Sequence, residues 1–199
     1  KQTEAEERET VVAISELIEY YKGIFTILSS CASRQLEEVT FRRATISVPE
    51  LMATAGKYFR KVYKGNKAHI DFKIQPLEGR ITGDWNQLRF LLENLIDEAC
   101  SVTLDGAVCL SAREDGEFIR FLFTDMRREK TREELNQLFY PDLSRMTAGE
   151  KGELYGTEYL VCKQIIRDHD EFAGRRGCRI NAEPGKEGGF TIYFTLPKK

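Results

Sequence analysis

The chain has 199 residues, 41% of them hydrophobic, which is enough for one sizeable core and an extension. Its 30 Lys and Arg nearly cancel its 32 Asp and Glu, and the net charge of −2 gives no electrostatic case for nucleic acid as the main partner. No apolar run approaches the roughly 18–20 residues that cross a bilayer, and no signal-peptide pattern opens the sequence, so a cytoplasmic protein without membrane contact in this segment is expected.

Residues 5–38 read as one long helix with no Pro and a single glycine, Gly23. Ile14, Leu17, Tyr21, Ile24, Leu28 and Cys31 alternate spacings of three and four, the seam of a coiled coil or bundle. A helix of this length needs a partner to cover its stripe, and a second copy of itself is the simplest one, which implies a homodimer. After a short basic connection, Ser47-Val48-Pro49-Glu50 forms a capping-box pattern with Pro in the first turn. The helix that follows places Leu51, Ala55, Phe59 and Val62 on one face. Ile70, Phe72 and Ile74 then alternate as a strand.

Gly83-Asp84 precedes a helix in which Leu88, Leu91, Leu92, Leu95, Ile96, Ala99 and Val102 make a continuous apolar stripe. Asn94 and Glu98 lie one turn apart on a neighbouring face. Such a helix can floor a pocket or be an ordinary core helix with a solvated polar edge. Val108, Leu110 and Ala112 suggest a second strand, and Ile119, Phe121 and Phe123 a third, joined at Asp115-Gly116. Thr131-Arg132-Glu133-Glu134 caps a short helix ending near Phe139 before Pro141. Residues 142–156, rich in Gly, Ser and Thr, read as a mobile loop, 157–170 as a helix, and 178–183 with 190–197 as a closing hairpin. Five cysteines with no CxxC pair read as buried thiols, and two histidines apart from them argue against zinc. The order suits an α+β fold, a two-layer sandwich with helices on one face of a mixed sheet.

Several segments in order carry a resemblance. Gly83-Asp84 with Leu88, Asn94-Leu95-Ile96-Asp97-Glu98-Ala99, Phe121-Leu122-Phe123-Thr124-Asp125, Glu133–Pro141, Lys163-Gln164-Ile165-Ile166-Arg167-Asp168-His169 and Gly188–Pro197 are similar to successive motifs of the ATP-binding domain of sensor histidine kinases. That domain belongs to a wider family shared with gyrase, Hsp90 and MutL ATPases. The resemblance covers residues 46–199, and residues 1–45 resemble the second helix of the dimerisation hairpin that precedes such a domain. It implies a Bergerat-type fold, an ATP and Mg²⁺ site, signalling to a response regulator, and a chain that is the cytoplasmic part of a larger sensor. By the same resemblance, Asn94 and Glu98 fall in the N box, Asp125 at the adenine-reading position, and Gly156 in the phosphate-cradling lid.

The same motifs depart from the family at the positions that carry its chemistry. Glu98 stands where the family has a neutral Mg²⁺-binding Asn; it is a hard oxygen ligand and a candidate base, but it brings negative charge beside a triphosphate. D-x-G-x-G is here Asp125-Met126-Arg127-Arg128-Glu129, without either glycine, and of G-x-G-L-G-L only Gly156 remains. Arg127, Arg128, Lys130 and Arg132 could contact phosphate, although a solvated basic loop is the commoner meaning of such a run. Residues 1–45 contain no phosphoacceptor His, and His69 and His169 read as surface or core residues. The expectation is a pseudokinase-like signalling module with a remnant nucleotide site at Asn94, Glu98, Asp125 and Gly156. The alternative is an active ATP-dependent histidine kinase with a divergent lid and Glu98 on the metal.

Overall fold

A computed structural model of the chain describes residues 41–63, 68–139, 157–186 and 188–199. The helix expected at 5–38, the loop at 142–156 and Gly156 lie outside the described residues. The elements run β1 (Ala44–Ser47), α1 (Val48–Tyr63), β2 (Ile70–Gln75), β3 (Arg80–Gly83), α2 (Trp85–Ser101), β4 (Gly106–Asp115), β5 (Phe118–Asp125), α3 (Arg132–Gln137), α4 (Thr157–Phe172), β6 (Ile180–Pro184) and β7 (Phe190–Pro197).

Five strands form one sheet in the order β2-β4-β5-β7-β6, with β2 parallel to β4 and every other pair antiparallel. The period of two along β4 and β5 sends Val108, Leu110, Ile119, Phe121 and Phe123 to one face, where they pack with the apolar stripes of α1, α2 and α4. Ser111, Arg113, Arg120 and Leu122 face the other way and keep solvent contact. The helices therefore cover one face of a mixed sheet, as expected. Phe121 and Phe194 stack across β5 and β7 with ring centroids 4.9 Å apart.

The stripe of α2 is buried from Leu88 through Ala99, but Val102 lies past the helix end as its C-cap. Two strands, β1 and β3, have no counterpart in the sequence reading. They pair antiparallel, with Ile46 opposite Ile81. Each has four residues and one buried isoleucine, too little for an alternation to register. The cysteines also need correction: Cys162 is buried, but Cys100, Cys109 and Cys178 are half-buried.

α2 is anchored at its start by a joint between three parts of the chain. Asp84 caps the helix by accepting from the N–H groups of Asn86 and Gln87, and its other oxygen accepts from the Arg42 N–H at 2.7 Å. The Asp84 N–H donates in turn to Nε2 of His169, 3.0 Å away. That bond requires the proton of the neutral ring on Nδ1, where it is donated to the Ile165 carbonyl at 2.7 Å. Gly83 makes the approach possible, since a Cβ there would sit 2.9 Å from the imidazole. Phe41 closes the joint edge-on to the His169 ring at 4.9 Å. His169 is thus a structural core histidine, as its position in the sequence suggested.

Burial holds the His169 pKa below its ordinary value, against the opposing Ile165 hydrogen bond and nearby Asp84 and Asp168. The unfolded chain takes up a proton near pH ~6.5 while the folded imidazole stays neutral. Stability should therefore be full above that pH and fall on acidification, until the folded ring is protonated as well. Urea midpoints measured between about pH 7.5 and 5.5 should drop with pH. His169→Gln, which keeps an acceptor for Asp84 but cannot titrate, should flatten that slope; an unchanged slope would contradict the assignment.

Candidate functional site

Asp125 ends β5 on the buried side of the strand's alternation, and its side chain is fully shielded from solvent. The start of β7 passes over its backbone so closely that a Cβ at Gly189 (φ +68°) would collide with the Asp125 carbonyl. After Asp125 the Met126 N–H bonds to the Ala107 carbonyl at 3.0 Å, and the chain then turns so that the next two side chains fold back onto the carboxylate.

Arg127 grips Asp125 with three donors. Its backbone N–H and Nε donate to Oδ1 at 3.0 and 2.9 Å, and Nη2 donates to Oδ2 at 2.8 Å. The same guanidinium reaches the C-terminal end of α2, donating to the Ala99 carbonyl at 2.7 Å and the Leu104 carbonyl at 3.1 Å. α2 has no basic residue in its last turn, so Arg127 supplies, from the turn after β5, the cation that a helix C-terminus favours. The Arg127 side chain is as completely shielded as that of Asp125.

Arg128 spans the gap to α2. Its Nε donates to Asp125 Oδ2 at 2.9 Å and its Nη1 to Glu98 Oε1 at 3.1 Å, with the guanidinium carbon 5.4 Å from the centre of the Phe190 ring. Its side chain is 12% exposed and that of Glu98 17%. Burial alone would raise the Asp125 pKa, but the Arg127 hydrogen bonds and the Arg128 charge outweigh it and hold the carboxyl below its usual range. Burial also pushes the Tyr159 phenol well above its ordinary value, and the Glu98 charge adds to this. The Tyr159 hydroxyl is buried and has no hydrogen-bond partner among the described residues.

Of the residues singled out from the sequence, Glu98 and Asp125 are brought together, with Arg128 between them. Asn94 is turned to its own helix, its amide donating to the Phe90 carbonyl at 2.8 Å, and Gly156 lies outside the described residues. The solvated-loop reading of the basic run fails for Arg127 and Arg128, which point inward. Lys130 lies 5.6 Å from the centre of the Phe190 ring, and Arg132 is exposed at the start of α3. Asp97, next to Glu98, accepts the Tyr58 hydroxyl on both oxygens at 3.0 and 2.9 Å, tying α2 to α1. The sequence held only a partial signal for the inward arginines: two cations, two and three residues after a carboxylate whose strand alternation buries it.

Residues 83–199 match the family described as histidine kinase-, DNA gyrase B-, and HSP90-like ATPase. The chain belongs to this family. The catalytic domain of histidine kinase ThkA is similar in fold, with a TM-score of 0.60 and 18% identity over 79% of this chain and 96% of that one. Acinetobacter baumannii histidine kinase AdeS follows at 0.64 and 13%, over 90% of this chain and 79% of that one. The mycobacterial sensor histidine kinase MprB gives 0.56 and 16%, over 79% of this chain and 99% of that one. Among curated proteins no sequence matches the chain. Among the described residues no helix is long and apolar enough to cross a membrane.

Asp125 stands where the resemblance places the adenine-reading residue, and here both oxygens of its carboxylate accept from guanidinium donors. Glu98, at the position that the resemblance assigns to the metal, is bonded to Arg128. As arranged, Asp125, Glu98, Arg127 and Arg128 pair their charges with one another. They form a buried ion cluster, and removing one partner of such a cluster strands the other. Arg127→Ala should lower the free energy of unfolding by about 3–5 kcal/mol. Arg128→Ala should cost less, about 1–2 kcal/mol, because Arg127 still pairs Asp125. Urea denaturation of the two variants checks both the size and the order; a milder loss for Arg127→Ala would refute the arrangement.

Proposed function

We propose that this chain is a signal-transduction module of the histidine kinase-like ATPase family whose nucleotide site has become structural. On this reading residues 46–199 form the ATPase-like domain and residues 1–45 a dimerisation helix. The domain acts by pairing with a second copy and presenting its surface to a signalling protein, such as a response regulator, in the cytoplasm. One observation carries it: the Asp125 carboxylate that would select adenine is saturated by Arg127 and Arg128. Adenine offers a neutral amino group, which cannot replace two charge-assisted guanidinium pairs in a shielded site without leaving buried charge uncompensated. Glu98 and Asp97 add two carboxylates where a triphosphate would need neutral or positive groups, and both are engaged, with Arg128 and Tyr58.

Calorimetric titration with ATP, with and without Mg²⁺, tests the reading. No saturable heat is expected at ligand concentrations up to about 1 mM, and chelating divalent cations with EDTA should leave Tm unchanged. Saturable, Mg²⁺-dependent binding in the micromolar range would favour the active kinase instead.

A further inference from the structure

We propose that the cradle formed by Asp125, Glu98 and Phe190 is a guanidinium-selective binding site whose resident ligand is the side chain of Arg128. This rests on the reading above that the site no longer serves a nucleotide, and it names what the remodelled site recognises instead.

The cradle has three walls, each suited to a planar cation. Asp125 Oδ2 accepts from one edge of the guanidinium at 2.9 Å, and its side chain is wholly shielded. Glu98 Oε1, from a different element, accepts from another edge at 3.1 Å. The Phe190 ring lies 5.4 Å away, close enough for cation–π attraction. Two acceptors on separate elements fix the positions of two donors, and the aromatic ring adds a preference for positive charge. A guanidinium carries its donors in a rigid planar fork and meets both conditions. An ammonium supplies the charge but not the plane. An adenine edge supplies one amino group next to a ring nitrogen that is itself an acceptor, so it would set acceptor against acceptor at the second carboxylate.

Arg127 does not take part in this exchange. Its guanidinium is shielded and bound to the Ala99 and Leu104 carbonyls as well as to Asp125, so it belongs to the frame. Arg128 makes its two carboxylate bonds from a side chain that retains some exposure. The two consecutive arginines therefore differ in kind: one is part of the wall and one is a tethered occupant.

Chemical rescue tests the proposal. In Arg128→Ala, methylguanidinium at millimolar concentration should raise Tm saturably by about 2–4 °C. Methylammonium or adenosine at the same concentration should not, and the unaltered protein should not respond to any of the three. An equal rise with methylammonium would reduce the site to a non-selective anionic patch; no rise with methylguanidinium, or a larger one with adenosine, would overturn the proposal. If Arg128→Ala does not fold, Arg128→Lys decides the matter. Its Tm should lie below that of the unaltered protein although the charge is kept, and full stability with Lys would refute guanidinium selectivity. The ATP titration is independent: failed rescue with no ATP binding sinks only this inference, whereas micromolar ATP binding by the unaltered protein sinks the reading beneath it.

Discussion

A single carboxylate, sealed from water at the end of a central strand, sets the terms for the rest of this molecule. Asp125 is charged where desolvation should forbid it, and only the paired guanidiniums of Arg127 and Arg128 make that state tolerable. The pairing also does mechanical work. Arg127 ties the strand to the last turn of α2 and the loop after it, and Arg128 ties it to Glu98, one residue earlier on the helix. At the opposite end the same helix is fastened through Asp84 to His169 and to the backbone of Arg42. α2 is therefore fixed at both ends by buried polar contacts, with its apolar stripe filling the space between.

That arrangement changes what reversion towards the family pattern would mean. Replacing Arg127 by the family's glycine would uncover a buried carboxylate and deprive the end of α2 of its cation, as well as clearing space. At position 127 the absence of the first D-x-G-x-G glycine and the presence of an inward cation are one structural difference, since the residue that restricts the backbone also supplies neutralising charge; Arg128 stands at a variable position of the motif. Buried ion pairs of this kind are expensive to break and easily replaced by apolar packing. Their use here ties together a strand end, a helix end and a loop, a link that an apolar side chain could not make by hydrogen bonding.

Much of the fold could be read from the sequence, because it depends on long periodic segments. The stripe from Leu88 to Ala99, the alternation from Ile119 to Phe123 and the Thr131–Glu134 capping box all appear where their spacing places them. β1 and β3 could not be read: a four-residue strand with one inward isoleucine has no period to detect. At the site, the identity of the residues was legible but their direction was not. Asp125 and Glu98 are brought together through Arg128, and the departures from the glycine motif were visible in the sequence. Whether Arg127 and Arg128 faced water or the carboxylate depends on a turn after Asp125 that no periodicity encodes. Composition favoured the surface, because most runs of basic residues are solvated, and the shielded Asp125 reversed that preference. Asn94 shows the opposite limit, since it matches its motif yet spends its amide on the Phe90 carbonyl.

The ion cluster also has a reach beyond its own contacts. Two carboxylates and two guanidiniums of Asp125, Glu98, Arg127 and Arg128 cancel, so at a distance the cluster presents almost no field. A cleft that captures polyanions draws them in with an excess of positive potential, which speeds encounter and makes it sensitive to ionic strength. Here opposite charges are matched within hydrogen-bond range, and the neighbouring charges described above, the Asp97 carboxylate and the Lys130 ammonium, are themselves of opposite sign. Among the described residues, the cluster itself therefore adds nothing to the pull on a diffusing phosphate.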